Sequence, residues 1–341
     1  MSDTNDATEA SPDEAAPEDV APEDVAPDEV VDAAEGNAAE GNASVPTRAG
    51  FVALIGAPNA GKSTLVNRLV GAKVSIVTHK VQTTRTLVRG VVTEGPSQVV
   101  FVDTPGIFEP KRGLDRAMVR SAWSGARDAD IVVFLVDAER GLTGDAARIL
   151  KELEGVRVPR VLALNKVDRI EPETLLLLAA EANGRVPFER TFMISALKGG
   201  GCDDLLDHLL ASVPEGPWFF PGDQVSDFPL KQLAAEVTRE KLYLRLHQEL
   251  PYASHVETEG WEEGKKGVRI DQVIYVARET QRAIVLGKGG ATVKAIGKAA
   301  REELTEMLGR PVHLFVHVKV RNWEHDPERY REMGLEFPGR R

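Results

Sequence analysis

The chain has 341 residues, 42% of them hydrophobic and 28% charged, which excludes a wholly disordered, collagen-like or disulfide-scaffold protein and favours two folded units. Its single cysteine, Cys202, excludes an intramolecular disulfide or a cysteine zinc cluster and predicts a reducing, cytosolic compartment. The net charge of −11 speaks against a nucleic-acid partner only until it is divided: residues 1–47 carry 14 acidic side chains and no Lys or Arg, leaving +3 for residues 48–341.

The first 47 residues hold three near-copies of one pentad, Ala16-Pro17-Glu18-Asp19-Val20, Ala21-Pro22-Glu23-Asp24-Val25 and Ala26-Pro27-Asp28-Glu29-Val30, followed by Ala-Glu-Gly-Asn twice. Few large apolar groups, spaced prolines and mutually repelling charge predict a disordered acidic tail over residues 1–47. The segment lacks the basic start and apolar stretch of a secretory signal and the arginines of a transit peptide. No apolar run in the chain reaches the ~18 residues of a membrane span.

From residue 48 to 213, β-rich runs alternate with helical stretches, which predicts an α/β domain with a mostly parallel sheet. Strands are expected at 51–55, 99–103, 131–137, 160–165 and 191–195, with helices starting near Gly61, Asp115, Thr143, Pro172 and Asp203. Three prolines and two glycines between residues 214 and 223 predict a semi-rigid linker, placed at 214–228. Residues 229–341 then read as a smaller α+β unit with a C-terminal tail. It comprises a helix over 230–250 with Leu233, Val237, Leu242, Leu244 and Leu246 in its apolar stripe, extended stretches at 253–262, 268–277 and 283–286, a helix over 291–308 and a last strand at 312–320.

Gly56-Ala57-Pro58-Asn59-Ala60-Gly61-Lys62-Ser63, with Thr64 next, fits the phosphate-binding pattern G-x-x-x-x-G-K-[S/T] between a predicted strand and a predicted helix. Its backbone N–H groups are expected around the β-phosphate, Lys62 on the β and γ oxygens and Ser63 on Mg²⁺. Asp103-Thr104-Pro105-Gly106, followed by Ile107, ends one strand and places a carboxylate near the metal and a glycine N–H near the γ-phosphate. Asn165-Lys166-Val167-Asp168 ends another. There the Asp168 carboxylate can accept from N1–H and the C2 amine of guanine. Adenine offers neither donor, so the site is expected to choose GTP over ATP. Ser195-Ala196-Leu197 ends the next strand and can offer a backbone N–H to guanine O6.

These motifs, in this order, resemble a translation-factor-type GTPase domain. The resemblance implies a threonine from the first switch loop over the metal. In Thr78-His79-Lys80-Val81-Gln82-Thr83-Thr84-Arg85-Thr86 the first choice is Thr84 and the next Thr83. Lys62, Thr84, Asp103 and Gly106 are then expected to carry hydrolysis, and Ser63, Thr84 and Asp103 to hold Mg²⁺. Ile107 and Phe108 stand where many GTPases have a water-orienting glutamine, which points to slow unaided hydrolysis and a timer rather than a power source. Asn59 is the residue that potassium-assisted members use to hold K⁺.

Gly287-Lys288-Gly289-Gly290 lies between the expected strand at 283–286 and a helix, an arrangement similar to a KH module, whose glycine loop lets single-stranded nucleotides approach the backbone. Residues 278–301 contain six basic side chains against one acid, and Arg278, Lys288, Lys294, Lys298 and Arg301, with the glycines, are the candidate RNA contacts. A metabolic phosphotransferase would need tolerance of ATP, against Asp168. A purely structural RNA module would not need the intact Lys62, Ser63, Asp103 and Asp168.

A P-loop GTPase domain followed by a KH domain of type II, read as α-β-β-α-β, resembles the bacterial Era family over residues 48–323, including Gln82-Thr83-Thr84-Arg85, Glu240-Lys241 and the glycine loop. The resemblance implies binding of the 3′ end of small-subunit ribosomal RNA, a switch role in maturation of the small ribosomal subunit, rapid GTP/GDP exchange and loose contact with the inner membrane face. A monomer is expected. The acidic tail and the stretch after Trp323 depart from the family pattern.

Overall fold

The structure is a computed structural model that describes residues 45–247 and 250–338; the tail expected over residues 1–47 lies outside them up to residue 44. A six-stranded sheet is built from β1 (Arg48–Ile55), β2 (Val88–Glu94), β3 (Ser97–Asp103), β4 (Ile131–Asp137), β5 (Arg160–Asn165) and β6 (Arg190–Ile194) in the order β2-β3-β1-β4-β5-β6. All pairs are parallel except β2 with β3. The central strands are buried on both faces, β4 over its whole length, and such strands read as unbroken apolar runs such as Ile131-Val132-Val133-Phe134-Leu135-Val136.

Five helices cover the sheet: α1 (Lys62–Val70), α2 (Gly113–Asp128), α3 (Gly144–Glu152), α4 (Pro172–Arg185) and α5 (Cys202–Ser212). Leu65 and Leu69 of α1 and Leu205 and Leu209 of α5 pack on one face against Leu54, Phe101 and Leu135. Ala122, Ile149 and Leu178 of α2, α3 and α4 cover Ile55, Phe134 and Leu164 on the other. Strand order changes side at β1, where β3 is added on one flank and β4 on the other, and loops at the carboxyl ends of β1, β3, β5 and β6 line one cleft, the kind of place where open α/β sheets bind ligands.

β2 was not anticipated. Arg89 and Gly90 break its apolar run, and it follows a polar loop, so no period marks it. The proline-rich segment is strapped along this edge. The Trp218 indole donates to the Pro96 carbonyl (3.0 Å), Phe219 N–H and Phe220 N–H donate to Gln98 Oε1 (2.9 and 3.0 Å), and Val91 N–H donates to the Val225 carbonyl (2.9 Å).

The second sheet, β7-β8-β9, consists of β7 (His255–Gly264), β8 (Gly267–Val276) and β9 (Val312–Val320), antiparallel then parallel. Against it pack α6 (Leu230–Arg245), α7 (Glu279–Leu286) and α8 (Ala291–Leu308). Three expectations are corrected here. Helix α6 ends at Arg245 rather than 250, and Leu244 lies outside its buried stripe, 47% exposed. Residues 283–286 form the end of helix α7, so the order is α-β-β-α-α-β. The tetrad Ala283-Ile284-Val285-Leu286 is too short to show a period. Gln281, whose side-chain oxygen accepts from Ala277 N–H and Arg278 N–H, starts the helix, and only Val285 of the four is buried.

The stretch after Trp323 forms α9 (Pro327–Glu332). Trp323, Tyr330, Met333 and Leu335 are buried against Leu114, Ala117 and Met118 of α2 and against Val273 and Tyr275 of β8, a core shared by both sheets' layers.

Candidate functional site

Helix α1 starts at Lys62 because Gly61 takes φ 105°, where a Cβ would stand 2.2 Å from Asn165 Nδ2. Within the loop before it the Ala60 N–H donates to the Ala57 carbonyl (3.3 Å). Lys62 is buried and its ammonium donates to the carbonyls of Gly56 (3.0 Å) and Ala57 (3.1 Å). Burial pulls its pKa down to about 8, against the opposing pull of Asp103.

Behind it three hydroxyls meet one carboxylate. Ser63 Oγ donates to Asp103 Oδ2 at 2.7 Å and Ser75 Oγ at 2.6 Å, while Thr84 Oγ1 lies 2.9 Å from Ser63 Oγ and 3.4 Å from the same Oδ2. Burial pushes the Asp103 carboxyl up, against the hydrogen bonds from Ser75 and Ser63. Asp103 Oδ1 is buried with no partner. Thr83 is turned away, its hydroxyl donating to the Lys80 carbonyl (2.7 Å).

A cleft of about 500 Å³ runs from this cluster past Pro58, Asn59, Thr64 and Gly106 to Asn165, Lys166, Asp168, Ser195, Ala196 and Leu197. Asn165 braces it, donating to the Ala60 carbonyl (2.8 Å) and accepting from Ala196 N–H (2.9 Å). Lys166 pairs with Asp137 (2.6 Å). Asp168 accepts from Ser195 Oγ (2.7 Å) and lies 3.2 Å from Lys198, hydrogen bonds that hold its carboxyl below the usual range. The residue as a whole stands exposed at the cleft mouth, but its side chain is only 19% exposed, a part-buried carboxylate rather than the fully buried one the sequence suggested.

Thr104, Pro105 and Ile107 serve the fold rather than the cleft. Thr104 Oγ1 donates to the Leu54 carbonyl (2.6 Å), and Ile107, 1% exposed, points into the core while its N–H donates to the Gly56 carbonyl (3.1 Å). No side chain at 107 can therefore orient a water. Asn59, at φ 64°, donates to the His79 carbonyl (2.9 Å), joining the phosphate loop to the switch loop.

The switch loop in turn enters the second layer. Arg85, 2% exposed, donates to the Ser254 carbonyl (2.9 Å), Tyr243 Oη (2.7 Å) and the Tyr252 carbonyl (2.9 Å), with its guanidinium over the Trp323 ring at 5.2 Å. Lys80 donates to the carbonyls of Tyr243 and Leu246, and Arg239 of α6 to that of Thr83. Glu240 of α6 accepts from Val77 N–H (2.9 Å) and Lys73 (2.8 Å). Sequence reasoning assigned no role to Ser75, Arg239 or Lys73 and carried Arg85 and Glu240 only through a resemblance. Charged residues inside predicted loops and helices look like solvated ones until a partner surface is seen.

In the glycine loop, Gly287, Gly289 and Gly290 all take positive φ, and a Cβ at Gly287 would lie 2.2 Å from Thr292 Oγ1. Lys288 stands exposed at its tip. Lys294, Lys298 and Arg301 recur along one exposed face of α8, and Arg278 is exposed at the start of α7. Lys298 has a loose pair with Glu302 (3.8 Å); the other four make no ion pair with another described residue.

A P-loop cleft with an Asn-Lys-x-Asp corner, joined to a helix–glycine loop–helix module, defines a GTPase carrying a KH domain. Family models agree: residues 51–166 match the 50S ribosome-binding GTPase family and residues 249–324 the KH domain. GTPase Era of Rhizobium meliloti is 67% identical over 297 residues, covering 86% of this chain and 95% of that protein. GTPase Era of Brucella melitensis is 68% identical over 294 residues, covering 86% and 94%. Among solved structures, Era in complex with MgGDPNP and nucleotides 1506–1542 of 16S ribosomal RNA superposes with a TM-score of 0.79 at 39% identity over 84% of this chain and 99% of that one. A variant of Aquifex aeolicus Era bound to GDP·AlF₄⁻ gives 0.80 at 38%, with the same coverage. The chain belongs to the Era family of GTPases.

Proposed function

We propose that this GTPase is a nucleotide-controlled switch in assembly and maturation of the small ribosomal subunit, holding the 3′ end of its ribosomal RNA on the KH face. Residues 48–213 form the GTPase domain, 214–228 the connection and 229–341 the RNA-binding domain with its tail. One observation carries the coupling: Thr84 stands in the hydroxyl–carboxylate cluster while Arg85, the next residue, is buried in the KH layer. A change at the γ-phosphate that moves Thr84 must pull on α6.

The cluster suits Mg²⁺. Hard oxygen ligands converge there, and Asp103 Oδ1 is buried with no hydrogen-bond partner, a lone-pair oxygen whose charge a cation would neutralise. Ser63, Thr84 and Asp103 would hold the ion, which supplies charge neutralisation between β- and γ-phosphate oxygens. Lys62 exchanges its two carbonyl partners for phosphate oxygens, Gly106 offers its N–H to the γ-phosphate, and the N–H groups of the Gly56–Thr64 loop, Pro58 having none, cradle the rest. Asp168, steadied by Ser195, selects guanine, and Ala196 and Leu197 close over the base. With Ile107 in the core, unaided hydrolysis stays slow, at about 10⁻⁴–10⁻² s⁻¹. Asn59 is placed to offer its carbonyl oxygen to K⁺, which faster turnover in KCl than in NaCl would support.

On the KH face, Gly287, Lys288, Gly289 and Gly290 take the RNA backbone, with Arg278, Lys294, Lys298 and Arg301 on flanking phosphates. The protein works as a monomer in the cytoplasm, any contact with the inner membrane face being peripheral; no helix among the described residues is long and apolar enough to cross a membrane. The test is binding of a labelled RNA matching the 3′ end of small-subunit ribosomal RNA, against a scrambled RNA, with a GTP analogue, with GDP and with no nucleotide. Tighter, sequence-dependent binding in the GTP form is expected. Sequence dependence without nucleotide dependence would break the switch; nucleotide dependence with both RNAs would point to another RNA.

A further inference from the structure

We infer that Ser75 is a positioning residue for Asp103: its hydroxyl fixes one carboxylate oxygen and with it the orientation of the carboxylate beside Ser63 and Thr84. The inference rests on the reading of Ser63, Thr84 and Asp103 as the Mg²⁺ site. Ser75 is 2% exposed and precedes the switch loop, outside every nucleotide motif. Its Oγ donates to Asp103 Oδ2 at 2.6 Å, the shortest of the three hydroxyl contacts on that oxygen.

The residue is held in place on two sides. Asn67 of α1 accepts from the N–H groups of Val74 (3.0 Å) and Ser75 (2.9 Å) through Oδ1 and donates to the Ser75 carbonyl (2.7 Å) through Nδ2, gripping both backbone polar groups of Ser75. Two residues on, Val77 N–H is held by Glu240 of α6. Ser75 therefore stands on a short anchored segment, between a helix that begins at the phosphate loop and one that belongs to the KH layer.

Asp103 needs such a partner. Ser63 and Thr84 are themselves expected to turn toward the metal, after which their hydroxyls no longer hold Oδ2. Ser75, reaching the carboxylate from the segment between α1 and β2, is the hydroxyl that can keep its hydrogen bond throughout the nucleotide cycle. With Oδ2 pinned, the whole carboxylate keeps its orientation, since its other oxygen has no hydrogen-bond partner to hold it. A carboxylate that loses this hydrogen bond can rotate about its Cα–Cβ and Cβ–Cγ bonds and presents the metal with a spread of geometries, so metal affinity falls while the phosphate loop is untouched.

The experiment is the rate of release of fluorescent GDP from the full-length protein as Mg²⁺ is titrated, which needs no hydrolysis. In S75A the Mg²⁺ concentration that half-maximally slows release is expected to rise about tenfold or more, with release in EDTA unchanged within about twofold. S75T, which keeps the hydroxyl, should return toward the wild-type curve, and N67A should shift it in the same direction as S75A without touching Asp103. Thermal melting of each variant shows that it is folded. An S75A curve superimposed on the wild-type one overturns the role of Ser75, as does a shift in EDTA as large as that in Mg²⁺, which would mean a general loosening of the site. A wild-type release rate that does not respond to Mg²⁺ overturns the metal reading itself, and the inference with it.

Discussion

Lys62 shows what a single side chain contributes once its surroundings are known. In the free protein its ammonium is buried against two carbonyl oxygens, and its pKa is pulled down to about 8. Below pH 8 the fold bears the cost of a buried charge. As pH rises from about 8 toward the ordinary lysine value the folded protein loses this proton before the unfolded chain does, so stability from this group increases. Nucleotide has the opposite preference, because phosphate oxygens favour the ammonium. The Kd for GDP is therefore expected to weaken above pH 8, by at most about tenfold per pH unit. Calorimetry at pH 9 in buffers of different ionisation enthalpy should show proton uptake that is absent at pH 7, and a Kd flat from pH 7 to 9.5 would contradict it. The motif marked Lys62 in the sequence, but not this. The resemblance already put Thr84 ahead of Thr83; the fold adds how the two hydroxyls differ, Thr84 meeting Ser63 and Thr83 the Lys80 carbonyl.

The element that matters most is the loop over residues 77–87, which two layers share. Its arginine makes three close hydrogen bonds and stacks on an indole, with no carboxylate among its direct hydrogen-bond partners. Arg85→Ala should cost about 2–4 kcal/mol in urea unfolding, from buried carbonyls left without donors and from the lost cation–π contact. Because Thr84 then loses its neighbour's anchor, kcat for GTP should fall about tenfold to a hundredfold. GDP affinity should change less than about twofold, since Lys62 and Asp168 lie on other loops. An unchanged kcat in a folded R85A protein would show that the loop orders itself without the KH layer. Beside it, Glu240 draws in Lys73 and Lys241; burial opposes its ionisation, but these lysines hold its carboxyl below the ordinary range. Glu303 of α8 completes this group of four, linking the helix that leaves the glycine loop to the start of the switch segment.

Across the whole molecule, the KH layer and the GTPase layer share a core closed by the C-terminal stretch. Trp323, 1% exposed, donates its indole N–H to the Ala253 carbonyl (2.9 Å), stacks on His255 at 5.3 Å and lies under Arg85. Trp323→Ala should lower unfolding free energy by about 3–5 kcal/mol and loosen both layers together. Limited proteolysis should then cut within residues 214–228 faster than in the parent protein; cutting at the parent rate would mean that the straps from Gln98 and Pro96 suffice to hold the connection.

The sequence by itself determined the parallel sheet, its long apolar strands and the order of the nucleotide motifs. These rest on local patterns: a strand buried on both faces is apolar throughout, and a phosphate loop is a contiguous run with obligatory glycines. It also marked the glycine loop and its basic surroundings. Only the tertiary structure decided that Ala283-Ile284-Val285-Leu286 is helical, that Asp168 sits part-buried at the cleft mouth, that β2 completes the edge, that Ser75 reaches Asp103 and that Arg85 is buried in the other layer. Each depends on partners distant in the chain. A hydroxyl or a guanidinium carries no sign in the sequence of whether it will meet water or the interior of a neighbouring layer, and folding alone brings that neighbour to it.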